Sequence, residues 1–179
     1  MYLISIYFDS NTNKVLNNYI ESVANTTANT FMLDNNVPPH ITIAGFRTKD
    51  EELAIKLYKA IADKFSEGVI DWVTVGLFGQ SVVYAAPVLN EYLHKLSIDA
   101  YEVLSNIEGI ELDNRYLPFN WLPHATIAKT LTKEQQLTAI AILQNRFTVS
   151  SGSVVKIGLA RTNPFENLYE IYPLDINAK

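Results

Sequence analysis

Two histidines, His40 and His124, stand in the same local setting 84 residues apart. Each follows a proline and precedes a threonine by two positions, as Pro39-His40-Ile41-Thr42-Ile43-Ala44 and Pro123-His124-Ala125-Thr126-Ile127-Ala128. Imidazoles titrate near neutrality, so a neutral ring can take a proton from a nucleophile while a protonated one donates to a departing oxygen. A hydroxyl two residues along the same strand face can donate to an oxygen on which charge develops. Two such pairs around one space suit a phosphodiester. They suit zinc poorly, because neither motif contains a carboxylate or thiol and a zinc shell usually takes at least three protein ligands. The expectation is acid/base chemistry with no metal and no cofactor.

The setting is duplicated well beyond the histidines. Residues 39–53, PHITIAGFRTKDEEL, and 123–137, PHATIAKTLTKEQQL, agree at eight of fifteen positions, where unrelated windows share roughly one at average residue usage. Each copy reads as a short β-branched strand started by proline and followed by a helix. Thr48 with Glu51, and Thr132 with Gln135, form the expected capping boxes. The first helix is expected to bury Leu53, Ile55, Leu57, Tyr58, Ile61 and Phe65, and the second Leu137, Ile140, Ala141 and Leu143. Simple alternation puts His40, Thr42 and Ala44, and likewise His124, Thr126 and Ala128, on the face turned away from those helices.

The remaining chain fits the same scheme of about seven strands and four helices. YLISIYF opens as a strand and KVLNNYIESVAN as a helix; IDWVTVGLFG and SVVYAAPVL form two strands turning near Gly79 and Gln80. NEYLHKLSIDAYEVLSN is a helix capped by Asn90, and SVVKIGLAR and NLYEIYPLD are closing strands joined through Asn163, Pro164 and Glu166. With no Gly/Ser or Pro linker, residues 1–179 read as one bilobal α+β domain. Its expected architecture is a pseudo-twofold duplication, two antiparallel sheets facing a central cleft with helices on the outer faces.

Composition narrows the partners. Apolar residues make up 48% of the 179, and 14 Lys plus Arg against 19 Asp plus Glu leave a net charge of -5. That balance disfavours a broad grip on long double-stranded nucleic acid and leaves small anionic groups open. Zero cysteines remove thiol nucleophiles, Cys-based zinc sites and disulfides. The start, MYLISIYFDS, has no basic n-region, and no apolar run approaches membrane-spanning length, so a cytoplasmic, non-membrane protein is expected; the sequence leaves the oligomeric state open, with a monomer favoured.

The paired His-x-Thr-apolar motifs, His40-Ile41-Thr42-Ile43 and His124-Ala125-Thr126-Ile127, resemble those of the 2H phosphoesterase superfamily, which includes 2′-5′ RNA ligases and RNA 2′,3′-cyclic phosphodiesterases. FGQSVVYAA, before the second motif, is similar to that family's central strand pair. The resemblance implies metal-independent opening or closing of 2′,3′-cyclic or 2′-5′ linkages of a nucleotide or RNA end. It implies His40 and His124 as the acid and base, with Thr42 and Thr126 binding phosphate. For hydrolysis of a 2′,3′-cyclic phosphate it favours His124 as base and His40 as acid, the roles exchanging in reverse. RNA-directed members often carry Arg after the second motif, where this chain has Lys129, and a basic segment before the first, where it has DNNVPPH.

Substrate contacts are expected from Phe46 and Tyr84 by stacking and from Lys129 and Arg161 by charge. Arg47 and Arg115 are further cations near motif or strand ends, and Tyr116, Phe119 and Trp121 further aromatics. Alternation places Lys129 on the helix side unless its strand bulges. His94 lies mid-helix without a counterpart and reads as structural. The competing reading is a non-catalytic module that holds a nucleotide or RNA end in the same groove.

Overall fold

The computed structural model describes residues 1–162 and 166–171. In chain order the elements are β1 (Tyr2–Phe8), α1 (Ser10–Thr27), α2 (Phe31–Asp34), β2 (Ile41–Arg47), α3 (Glu51–Ala62), β3 (Gly68–Phe78), β4 (Val82–Pro87), α4 (Glu91–Leu104), β5 (Glu111–Leu112), β6 (Ala125–Ala128), α5 (Lys133–Arg146), β7 (Ser150–Arg161) and β8 (Glu166–Ile171). A single 3₁₀ turn, Asn114–Tyr116, precedes β6. The fold is α+β with antiparallel strands, as expected.

Two separate sheets were expected, and the ladder is instead continuous. The strand order is β5-β2-β1-β7-β3-β4-β6, with β8 pairing β7 off that path. The long β7 makes the join. Val154 pairs with Phe8 of β1 and with Gly68 of β3; residues 150–154 follow β3, while the remainder follows β1. One half-sheet carries the first motif on β2 and the other carries the second on β6. Ile4, Ile6, Ile41, Ile43, Ile70, Leu93, Ile127 and Leu143 are among the fully buried side chains that join strands to helices.

Local chemistry sets the helix starts. Asp9 accepts from Asn11 N and Thr12 N to cap α1, and its other oxygen accepts from Ser153 N at 2.7 Å, fastening that helix to β7. Asn90 caps α4 by accepting from Leu93 N. Thr132 and Gln135 form the reciprocal capping box of α5. At α3 the expected box does not form. Asp50 caps by accepting from Leu53 N, and Thr48, two residues earlier, accepts from Asp50 N, because the aspartate outcompetes the hydroxyl as an acceptor.

The inner face of α5 also differs from expectation. Gln136, Ala139 and Leu143 are buried, whereas Leu137 is 64% exposed and Ala141 is exposed. Gln136 reaches Gly79 O and Val82 O from that face, and Gln135 donates to Thr27 O of α1. These amide bonds rotate the helix by about one residue from its most apolar stripe. The short α2 and β5 have no periodicity of their own and raise the element count. The closing-loop residues Asn163 and Pro164, and the expected strand beyond Ile171, lie outside the described residues.

Candidate active site

Both motif histidines sit one residue before a strand and are held identically. His40 Nδ1 lies 2.8 Å from Pro38 O, and His124 Nδ1 lies 2.9 Å from Leu122 O. The intervening proline forces the residue before it into an extended conformation, which turns that carbonyl toward the ring. A carbonyl only accepts, so Nδ1 carries the hydrogen in each ring. The neutral imidazole then has its lone pair on Nε2.

The strands share a second irregularity. Consecutive Ile4 and Ser5 of β1 face Ala44 and Thr42 of β2, passing over Ile43. Consecutive Val83 and Tyr84 of β4 face Ala128 and Thr126 of β6, passing over Ile127. Each motif therefore bulges at its isoleucine, and a bulge reverses the inward and outward alternation beyond it. After Thr42 the cleft side passes to Gly45, against which Tyr116 packs: a Cβ there would lie 2.9 Å from the Tyr116 ring. After Thr126 it passes to Lys129.

His40, Thr42, His124, Thr126 and Lys129 line one cavity of about 760 Å³, together with Phe31, Phe78, Arg115, Tyr116 and Trp121. No Asp or Glu lines it among the described residues. Thr42 Oγ1 is 3.2 Å from Ser5 Oγ, and Trp121 Nε1 donates to Thr42 O at 3.0 Å. That bond joins the segment just before the second motif to the strand of the first. His124 is packed edge-on against Phe78 and Tyr84, with ring centroids 4.6 and 5.5 Å away. Tyr7 lies 6.1 Å from His40.

The electrostatics favour neutral rings. Burial lowers the His40 pKa from 6.5, against the Pro38 carbonyl, and positive charge on His124 and Lys129 lowers it further. Burial also lowers His124 from 6.5, opposed by the Leu122 carbonyl. Positive charge on His124 thus reaches the His40 ring. Lys129 Nζ stands 4.6 Å from the Phe31 ring centroid, and among the described residues no carboxylate pairs with it. It is a cation presented to the cavity.

The other sequence candidates divide. Phe46 is fully buried and stacked on Tyr2, so it contacts core rather than cavity; the bulge at Ile43 turns it there. Arg161 is held at the surface by Glu51 at 2.8 Å and Glu166 at 2.5 Å, away from the cavity. Tyr84 packs on Phe78 and His124 and supports the ring from the side. Arg47 pairs with Glu111 on the exposed rim. Arg115 lines the cavity while bound to Asp113. Phe119 is 87% exposed against His94.

Sequence reasoning missed Ser5 and Phe31. Neither carries a signal, since Ser5 meets Thr42 only through strand register and Phe31 sits on a four-residue helix. Among the described residues no group of three His, Asp or Glu is placed to hold a metal ion, and no helix is long and apolar enough to cross a membrane.

A solved structure described as a phosphoesterase superposes with a TM-score of 0.56 at 16% identity, covering 96% of each chain. E. coli LigT complexed with 3′-AMP gives 0.53 at 14% identity, covering 96% of each chain. E. coli LigT in apo form gives 0.52 at 15%, covering 96% of this chain and 95% of that one. These likenesses establish a shared fold. No curated protein sequence matches the chain. Residues 14–164, a span that includes both motifs, match the family described as the 2′-5′ RNA ligase superfamily, and the chain belongs to that superfamily.

Proposed function

We propose that the protein is a metal-independent phosphoesterase acting on a 2′,3′-cyclic phosphate or a 2′-5′ phosphodiester of a nucleotide or RNA end. The observation that carries this reading is the placement of two imidazoles, each fixed at Nδ1 by a carbonyl two residues earlier, in one cavity. Two imidazoles make a weak metal shell and a good acid/base pair. The E. coli LigT structure with 3′-AMP adds a nucleotide as the ligand class of a protein of the same fold.

In hydrolysis of a cyclic phosphate, His124 Nε2 takes a proton from water as its oxygen bonds to phosphorus. His40 Nε2–H donates to the ribose oxygen as its bond to phosphorus breaks. The hydroxyls of Thr42 and Thr126 and the ammonium of Lys129 stabilise the non-bridging oxygens, where charge grows in the transition state. With a 5′-hydroxyl in place of water the same roles form a 2′-5′ linkage; with the roles exchanged, the 3′-hydroxyl attacks and that linkage is cleaved to the cyclic phosphate.

The test is incubation with the four nucleoside 2′,3′-cyclic phosphates and a 2′-5′ dinucleotide, with and without chelator, the products identified by phosphorus NMR. Turnover unaffected by chelator is the expected result. Saturable binding without turnover of any substrate would replace the enzyme with a binding module, and loss of turnover with chelator would reinstate a metal.

A further inference from the structure

A second cavity, of about 470 Å³, continues the cleft past His40. The two cavities share Met32 and Val37, and the segment that holds the His40 ring separates them: Pro38 lines the second and His40 the first. Tyr7, which packs near the His40 ring, also lines the second.

Its walls have a definite chemistry. Asn13, Asn17 and Asn36 line it together with Lys156, and no Asp or Glu does so among the described residues. Asn13 is committed to the fold, donating to Phe8 O at 2.7 Å. The side-chain amides of Asn17 and Asn36 have no hydrogen-bond partner among the described residues. Lys156 is ion-paired with Glu170 at 2.6 Å and lies 4.8 Å from the Tyr7 ring centroid, so its charge on this wall is offset. An amide offers a donor and an acceptor side by side, which matches the edge of a nucleobase or a ribose hydroxyl. Both cavities fall within the range of about 300–1,000 Å³ typical of small-molecule sites. The histidines and threonines line the first, and the amides line the second.

We propose that this cavity is a subsite for the nucleoside on the far side of the reacting phosphate, read by Asn17 and Asn36, so that the preferred substrate is at least a dinucleotide. The proposal rests on the phosphodiester reading above. It adds a length requirement to it, because a cyclic mononucleotide leaves the amide-lined space empty.

Two unreactive probes separate the subsite from the reaction. One is a 2′-5′ dinucleoside monophosphate whose attacking 3′-hydroxyl is replaced by hydrogen; the other is the same 3′-deoxynucleoside 2′-(methyl phosphate), a diester of equal charge that replaces the second nucleoside with methyl. Affinities are measured by calorimetry for the intact protein and for the Asn17→Leu/Asn36→Gly double variant. Leucine suits the exposed face of α1, and glycine keeps the φ of +48° at position 36 without strain.

The intact protein is expected to bind the dinucleotide about tenfold more tightly, and the double variant to lose that margin while holding the methyl diester unchanged. Equal affinity of the intact protein for both probes, or an equal loss of both in the variant, would overturn the subsite and leave the phosphodiester reading standing. Failure of the intact protein to bind either probe would overturn that reading, and the subsite with it.

Discussion

At the scale of single residues, the two histidines are made alike by their surroundings rather than by their rings. A carbonyl fixes each Nδ1, burial lowers each pKa, and both rings line the cavity, where no Asp or Glu stands among the described residues. The pH dependence follows from these directions. One ring must be neutral and the other protonated, and both titrate below 6.5 in the free protein. The bell of kcat/KM against pH is therefore expected to centre below 6.5, measured on any substrate turned over; a centre above 6.5 would contradict the burial argument. Stability responds with a definite sign. Between the folded values and 6.5 the unfolded chain binds more protons, so stability is lost as pH falls through that window and regained as it rises.

At the scale of elements, the positions of side chains beyond each motif depend on the bulges at Ile43 and Ile127. Strand, helix and histidine were legible because the duplicated sequence states them twice. The bulges were not legible, because an extra residue in a ladder depends on the partner strand. That one device explains why Lys129 lines the cavity and Phe46 does not. Trp121 was legible as an aromatic, but its partner, the carbonyl of Thr42, is 79 residues away and visible only after folding. Trp121→Phe keeps the ring packing and removes the donor, leaving a buried carbonyl short of a bond. A loss of about 1–3 kcal/mol in chemical denaturation is expected, with kcat lowered more than KM because the two motifs are no longer fastened together. A variant as stable and as active as the parent would show that the bond is incidental.

At the scale of the whole molecule, the expected pair of sheets is a single ladder because β7 serves both halves. The duplication is legible in residues 39–53 and 123–137, whereas the shared strand is not, since β7 lies outside the repeat and nothing in SVVKIGLAR specifies two partners. Neither half can keep its β7 ladder if the other loses that strand. Unfolding is accordingly expected as one transition, with far-ultraviolet circular dichroism and the fluorescence of Trp72 and Trp121 superimposing in denaturant. Two separated transitions would mean that the halves are independent domains.

The division of labour between the imidazoles is tested most directly by changing how much help the leaving group needs. A 2′-5′ dinucleotide and a nucleoside 2′-(4-nitrophenyl) phosphate present the same attacking 3′-hydroxyl, but nitrophenolate departs without a proton. In this direction His40 is the base and His124 the acid. His124→Ala should cost about 10²–10⁴ in rate on the dinucleotide and recover most of it on the nitrophenyl ester, while His40→Ala stays impaired on both. Equal impairment of both variants on both substrates, or full activity of either variant on the dinucleotide, would contradict an acid and a base acting across one phosphorus.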